Sequence, residues 1–413
     1  MTRKIFTLVL LFATCALYAQ KTNWLADLEA HPEYLDGTDM LCPTAPVKLT
    51  KAPKGYKPFY ISHYARHGAR FASQSDMYKW LNEVFGKAAK DDNLTEAGKE
   101  FKRKFDLVYP DFRYRTGELS SVGWWHQKAL AERMYSNFPE VFPDGAAVTA
   151  RTSTNPRCLM TMSSFCLGLK EKSPKISVEE KFGRIYTPAV IPQDSGNPFK
   201  KDYEKGVLGF DETLEHFIDR TVDYKAILAR LFIDVDKALP AGKQWDFTSY
   251  LYFFANGMTS TGSDIDFRNI FTQEERVALW KVDDFQFYYD MWQTRPGYMP
   301  VVEDIIARAD ERIASGQPGA DLRFAHDYTF LPVLMLLNVN GYGTRVTDPD
   351  EIPVWCRLYD VPMGANLHLV FYKNKKNPKV LFRVLLNGSE ARLPQLSQDH
   401  WPCYDWDELK LSL

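Results

Sequence analysis

The positions of the β-type runs constrain the fold of this 413-residue chain most, because they lie near both ends and leave the middle free. One group falls at residues 59–62 and 146–150, and a second at residues 322–325, 366–372 and 380–386. The last two runs flank a lysine-rich turn, which predicts a hairpin. Helical periodicity fills the stretches after the other runs. Strands that alternate with helices in this way predict an α/β fold.

The middle of the chain differs from both ends. Residues 175–295 are mostly helical in pattern and rich in aromatic residues, some of them at helical spacing, such as Phe285, Tyr288 and Trp292. Core packing explains such a stripe better than a ligand platform does. We therefore predict a helical insert at 175–295, between a first core segment at 20–174 and a second at 296–413.

The first 19 residues predict export. Arg3 and Lys4 precede an uncharged apolar run, and Ala19 and Gln20 offer a cleavage site. This is the layout of a secretory signal peptide, and the run is too short to span a bilayer comfortably. Cys15 leaves a lipid anchor as the alternative. We expect a periplasmic or secreted protein whose mature chain does not span a membrane, since no later apolar stretch approaches 18 residues.

Charge and cysteine content exclude several classes of protein. The chain has 51 basic and 53 acidic side chains, so nothing in its net charge of −2 favours nucleic acid or an anionic membrane as a partner. It has no C-x-x-C pair, which argues against a zinc ribbon or a thioredoxin-type site. On one helix, Cys158 and Cys166 would lie about 12 Å apart, too far for a disulfide. We expect a monomer that binds a small molecule.

The most informative motif directly follows the first β-type run: Arg66-His67-Gly68-Ala69-Arg70. Guanidinium groups match phosphate oxygens bidentately, and a strand-to-helix turn adds backbone N–H donors. The glycine lets the backbone approach a ligand closely. The histidine between the two arginines could attack phosphorus through a ring nitrogen. These residues predict a phosphoryl-transfer site, although a solvated basic turn is the alternative.

A metal site fits this segment poorly. His63 and His67 are four residues apart, which would place them on one face only in a helix, whereas the pattern is that of a strand followed by a turn. The neighbouring arginines would also repel a metal ion. We therefore expect neither a metal nor another cofactor.

A second candidate site follows the run at 322–325. His326 and Asp327 stand between this strand and an apolar helix, at the end of a strand where open α/β sheets bind ligands. Asp327 could protonate a leaving alkoxide, and His326 could donate a hydrogen bond to phosphoryl oxygens. The dipeptide alone leaves an ordinary Asp N-cap equally open.

Together with residues 151–157 (RTSTNPR), these two sites resemble the histidine acid phosphatases, in the branch that includes phytases and multiple inositol polyphosphate phosphatases. The resemblance covers residues 59–393, including segments at 361–366 and 385–388 that are similar to the C-terminal hairpin of that family. It implies a three-layer α/β domain like that of phosphoglycerate mutase, with a mainly helical cap. It also implies that the protein is a phosphomonoester hydrolase.

The resemblance assigns roles to individual residues. It makes His67 the nucleophile that forms a phosphohistidine, with Arg66 and Arg70 as phosphate clamps. Arg157 becomes the third clamp, and Arg151 is its competitor if the alignment shifts. His326 and Asp327 keep the roles of hydrogen-bond donor and general acid.

One position leaves the substrate open. Multiple-position inositol polyphosphate phosphatases usually carry the acid two residues after the histidine, where this chain has Tyr328, while residues 329–332 and 336–337 look more like that branch. The resemblance favours inositol polyphosphates such as phytate, with a broad-specificity acid phosphatase, for example on sugar phosphates, as the alternative. A non-hydrolytic phospho-ligand-binding protein and a phosphotransferase also stay open. Lys57, Arg113 and Arg115 are candidates for a cationic rim, although a solvated face explains them equally well.

Overall fold

The computed structural model describes residues 23–74, 76–192 and 213–413 of the chain. The predicted signal peptide lies outside these residues and stays a prediction. Part of the predicted helical insert, residues 193–212, also falls outside them.

A mixed sheet forms the centre of the described structure. In spatial order its strands run β3-β2-β4-β1-β5-β6-β7, with β8 paired to β6. The strands are β1 Lys57–Arg66, β2 Ala147–Thr152, β3 Ser177–Phe182, β4 Gly319–Ala325, β5 Asn366–Asn374, β6 Asn377–Leu386, β7 Ser389–Glu390 and β8 Tyr404–Asp405.

Helices surround this sheet. Those before the predicted insert are α1 Trp24–Ala30, α2 Met77–Lys90, α3 Glu96–Phe112, α4 Ser121–Asn137 and α5 Pro156–Lys172. Those within it are α6 Leu214–Thr221, α7 Tyr224–Ala229, α8 Val235–Ala238, α9 Ala241–Asn256, α10 Met258–Thr261 and α11 Gln273–Thr294. The remaining ones are α12 Met299–Ser315, α13 Asp327–Leu336, α14 Ile352–Trp355 and α15 Trp406–Ser412.

The sheet is buried on both faces, which produces three layers. Along β1, Ile61 and Ala65 pack into the core shared with α4 and α5. Tyr60 and Tyr64 point the other way, into the larger core that includes residues of α12 and α13. A strand covered on both sides carries apolar residues at both parities, as in parallel α/β sheets. The predicted three-layer α/β fold is confirmed.

Strand direction brings the two predicted motifs together. β1 runs parallel to β4, with Arg66 opposite Ala325, and β4 runs parallel to β2. The residues that follow β1 and β4 therefore leave the sheet at the same edge. This edge is where open α/β sheets hold their ligands.

Two segments differ from the sequence interpretation. β3 extends the sheet beside β2, so the sheet continues past residue 174, where we placed the start of the insert. The prolines of residues 20–55 predict an extended lead-in to the core, yet this segment contains α1 and a 3-10 turn at Pro32–Asp39. The division into core and insert itself stays a prediction.

The five cysteines among the described residues are buried free thiols, at positions 42, 158, 166, 356 and 403. Cys158 and Cys166 lie on one helix and do not pair, as their spacing indicates. Within the described part of the chain, no helix is long and apolar enough to cross a membrane.

Candidate active site

The loops after β1 and β4 meet through backbone hydrogen bonds. The His67 N–H donates to the Ala325 carbonyl at 2.9 Å, and the Gly364 N–H donates to the His67 carbonyl at 2.9 Å. The imidazole rings of His67 and His326 have centroids 5.3 Å apart and meet edge to face. Two motifs about 260 residues apart in the chain thus form one site at the carboxyl edge of the sheet.

His67 is held in one orientation. Its side chain is buried, and its Nδ1 lies 2.9 Å from the Gly68 carbonyl oxygen, which can only accept a hydrogen bond. The proton therefore sits on Nδ1, and the Nε2 lone pair is available for attack. Burial, followed by the nearby charges of Arg66 and Arg70, holds the pKa of His67 well below its usual value. The imidazole is neutral and nucleophilic even in mild acid.

Arg66 is buried and fixed by three contacts. Its side chain is fully buried, donates from Nη1 to the Thr38 carbonyl and to the Val361 carbonyl (2.8 Å), and lies with Nη2 2.6 Å from Asp327 Oδ2. Three fixed partners leave this guanidinium little freedom. A cation fixed in this way is preorganised for an anionic ligand.

Arg70 and Arg157 add two more cations. Arg70 donates from Nη1 to the Phe71 carbonyl at 3.1 Å, and Arg157 donates from Nη1 to Asn155 Oδ1 at 3.3 Å. The Nε atoms of both side chains are buried and have no hydrogen-bond partner in the part of the chain described. These N–H groups can still bind an anion.

Arg151, the competitor for the third clamp, is engaged elsewhere. Its Nη1 lies 3.2 Å from Asp304 Oδ2, in an ion pair below the site. Arg157, in the first turn of α5, instead contacts His326. The structure therefore brings Arg157, and not Arg151, to the cluster of predicted site residues.

His326 carries its proton on Nε2. Arg157 Nη2, which can only donate, lies 3.2 Å from His326 Nδ1, so Nδ1 accepts and Nε2–H remains a donor. Burial, followed by the charge of Arg157, lowers the pKa of His326 to about 3. The ring of Tyr328 stacks on His326 with centroids 4.9 Å apart. A neutral, fixed imidazole donor results.

Asp327 begins α13 and faces Arg66. Its Oδ1 accepts a hydrogen bond from the Tyr328 N–H at 2.8 Å. Burial opposes its ionisation, but Arg66 and Arg70 together hold the pKa of Asp327 below its usual value. The carboxylate is therefore ionised near neutral pH. The general acid that we expected to be protonated must receive its proton when substrate binds.

Sequence reasoning missed two residues that support the loop after β1. The Gly68 N–H donates to Thr161 Oγ1 at 3.0 Å, which ties the loop to α5. Gly123, near the start of α4, lies against Ala69, where a Cβ would come within 2.2 Å of the Ala69 oxygen. Neither residue belongs to a recognisable motif, because each acts through a close approach of distant segments.

We expect Gly123→Ala to destabilise the protein by about 1–3 kcal/mol, since the added methyl group overlaps backbone that cannot move freely. Displacement of Ala69 should also lower phosphate release, because Arg70 follows it directly. Chemical denaturation measures the first effect. The matched control is Gly86→Ala on α2, where an added Cβ meets nothing within 4 Å and should stabilise by about 0.5–1 kcal/mol. Equal stabilities for the two variants would contradict this prediction.

A cavity of about 290 Å³ opens beside the clamp. Arg70, Asp327 and Tyr328 form its inner end. Its other walls come from the 3-10 turn, the loop after β1 and the helical region, and include Thr38, Asp39, Ser73, Gln74, Phe253, Gly257, Asp283, Phe287, Asp290 and Met291. Among the described residues, no group of three or more His, Cys, Asp or Glu side chains is arranged to hold a metal ion.

Residues 64–387 match the histidine phosphatase superfamily (branch 2). This match spans most of the chain, and the chain belongs to that family of phosphatases. The family assignment predicted from the sequence is confirmed. No curated protein sequence matches the chain significantly.

Solved structures of the same fold include inositol phosphate phosphatases. A multiple inositol polyphosphate phosphatase from Bifidobacterium longum, in complex with inositol hexasulfate, has a TM-score of 0.76 at 19% identity, covering 91% of this chain and 97% of its own. The phytase from D. castellii has a TM-score of 0.66 at 16% identity, covering 92% and 83%. The Hafnia alvei phytase in complex with tartrate has a TM-score of 0.58 at 13% identity, covering 88% and 98%.

Proposed function

We propose that this chain is an exported phosphomonoester hydrolase that acts through a phosphohistidine on inositol polyphosphates. The observation that carries the proposal is the environment of His67, a neutral imidazole with Nε2 free, set among three guanidinium groups. The similarity in fold to phytases and to an inositol polyphosphate phosphatase supports the substrate class. The signal-like N-terminal sequence supports export.

The first step transfers the phosphoryl group to the protein. His67 Nε2 forms a bond to phosphorus while the bond from phosphorus to the ester oxygen breaks, and Asp327 gives its proton to the leaving oxygen. Arg66, Arg70, Arg157 and the Nε2–H of His326 stabilise the charge on the phosphoryl oxygens.

The second step restores the enzyme. Water attacks the phosphohistidine, Asp327 takes a proton from it, and the N–P bond breaks to release inorganic phosphate. The four donors serve both steps, since the phosphoryl group stays between them. The buried position of Arg66 and His326 keeps these donors fixed and shielded from solvent, which strengthens their interactions with the anion.

We expect kcat/KM to be highest in acid. Asp327 is ionised in the free site, so the substrate monoanion must supply the proton. The phosphoryl oxygens also compete for Arg66 and weaken its hold on Asp327. Because the second pKa of a phosphate ester is about 6, kcat/KM should fall about 50-fold from pH 6 to pH 8.

The acid side of this pH profile tests His67. Its pKa is lowered, so the neutral nucleophile persists below pH 6.5 and kcat/KM should not fall between pH 6.5 and 5. A pH profile on one phosphate ester at low substrate concentration measures both limbs. A loss of activity as pH drops through 6.5 would contradict this account of the nucleophile.

The function is tested by phosphate release from inositol hexakisphosphate by purified residues 20–413, in the presence of EDTA. A simple aryl phosphate is measured in parallel. Release from the inositol phosphate supports the full proposal. Release from the aryl ester alone would support a broad-specificity acid phosphatase instead. Absence of phosphate release from both esters would contradict hydrolysis.

A further inference from the structure

The cavity beside the phosphate clamp is walled by carboxylates. Asp39 ends the 3-10 turn, and Asp283 and Asp290 lie two turns apart on α11, so the two elements bring three carboxylates to one opening. Asp327 adds a fourth at the inner end. A substrate held by the clamp must place its leaving group among them.

Two of these carboxylates have no partner. The side-chain oxygens of Asp39 and Asp283 make no hydrogen bond or ion pair with any residue of the described ranges, although Arg66 and Arg70 lie close enough to stabilise the charge of Asp39. By contrast, the buried carboxylate of Asp36 is paired with Arg268 and Arg276. Unpaired acceptors that line a cavity can accept hydrogen bonds from a ligand.

Positive charge is scarce on the same walls. Of the described residues that line the cavity, Arg70 is the one cation. Two candidates for a cationic rim are accounted for otherwise: Arg115 pairs with Asp111 and Glu118, and Lys57 starts β1, at the far end of the strand from the site. The remaining walls include Phe253, Phe287 and Met291, which can pack against a carbon ring but cannot bind a phosphate.

We infer that Asp39, Asp283 and Asp290 determine specificity: they favour phosphomonoesters whose leaving group presents hydroxyl groups, and disfavour those with further phosphates beside the scissile one. The inference rests on the proposed function. Hydroxyl groups donate to carboxylates, whereas phosphates repel them in a partly desolvated cavity. Within inositol phosphates, this selects the less phosphorylated members.

The charge of these walls depends on pH. Burial raises the pKa of Asp283 to about 7, and burial likewise raises that of Asp39. As pH falls, these groups bind protons, lose their repulsion and become donors. The charged and titratable groups that face them from the surrounding elements are Asp36, Arg66, Arg70, Tyr78, Tyr252, Asp284, Asp290, Asp327 and Tyr328.

Binding of two sulfate esters tests the inference without turnover. myo-Inositol hexasulfate and myo-inositol monosulfate differ by the replacement of five sulfates with hydroxyls, and their charges do not titrate between pH 5.5 and 8. The Kd of each is measured by calorimetry on the full mature chain. We define the preference for hexasulfate as the Kd of the monosulfate divided by the Kd of the hexasulfate. We expect this ratio to increase about tenfold from pH 8 to pH 5.5.

The double variant Asp39→Asn/Asp283→Asn removes both unpaired charges. At pH 8 its preference for hexasulfate should exceed that of the wild type about tenfold, and most of the pH dependence should disappear. Asp246→Asn removes one exposed carboxylate on α9 and should behave like the wild type. A preference that is the same in the double variant and the wild type at pH 8 would overturn the inference.

The pH dependence of the wild type tests the inference even if the double variant fails to fold. A hexasulfate preference that does not change with pH would also overturn the inference. Because these measurements need no hydrolysis, their outcome is separate from that of the proposed function. Absence of phosphate release would refute the hydrolase and leave the binding comparison intact.

Discussion

Replacing His67 by alanine is expected to lower kcat for phosphate release by at least about 10⁴-fold, because no other group can form the covalent intermediate. The Gly68 carbonyl holds the His67 imidazole through Nδ1, which leaves Nε2 available to attack phosphorus. His326 is the nearest imidazole, but its Nδ1 already accepts from Arg157 and its Nε2 carries the proton. It cannot attack phosphorus in this state.

The control for this variant is His31→Ala, which removes an exposed histidine from the end of α1. Steady-state phosphate release is measured for both variants on the same ester, with thermal unfolding to check the fold. His31→Ala should retain wild-type kcat. More than about 1% residual activity in His67→Ala would contradict nucleophilic catalysis by this residue.

Asp327→Asn should separate substrates by their leaving groups. An alkyl ester such as an inositol phosphate needs a proton on the departing oxygen, so kcat/KM, which reports the first step, should fall by about 10²–10⁴-fold. A nitrophenyl ester leaves as a stable anion, and its kcat/KM should fall far less. The measurement is kcat/KM for both esters in the wild type and the variant.

The two esters serve as controls for each other, because damage to the phosphate clamp would slow both equally. Asparagine can still accept a hydrogen bond from Arg66, but the buried guanidinium loses its charged partner, which sits 2.6 Å away in the wild type. Breaking such a pair destabilises by about 3–5 kcal/mol when no acceptor remains, so we expect a smaller loss in thermal unfolding. An equal decrease in kcat/KM for both esters would contradict the general-acid role.

The parts of the fold predicted from the sequence are those with strong local patterns. The strand before His67, the strand before His326 and the hairpin at 366–386 all have apolar runs bounded by turn residues. Their alternation with helices predicts an α/β fold, and the resemblance to the histidine acid phosphatases implies the three layers that the structure confirms. Two motifs that each follow a strand could also be expected at one edge of the sheet, and His67 and His326 do meet there.

The rest of the site had no local signal. Thr38 and Asp39 come from a segment whose prolines indicate an extended lead-in, and they reach the cavity only because the 3-10 turn packs against the helical region. β3 is a short, largely exposed edge strand, so it has no apolar run to reveal it. The ionised state of Asp327 depends on its contact with Arg66, which lies 261 positions away in the chain.

The most direct test of the account is to trap the phosphoenzyme. The protein is mixed with a ³²P-labelled phosphate ester and quenched within milliseconds in alkali, in which phosphohistidine is stable. Label is then located by proteolysis, with Asp327→Asn included because it also slows attack by water. We predict stable label on the peptide that contains His67, and none in His67→Ala. Turnover of the ester without label on this peptide would contradict the phosphohistidine mechanism.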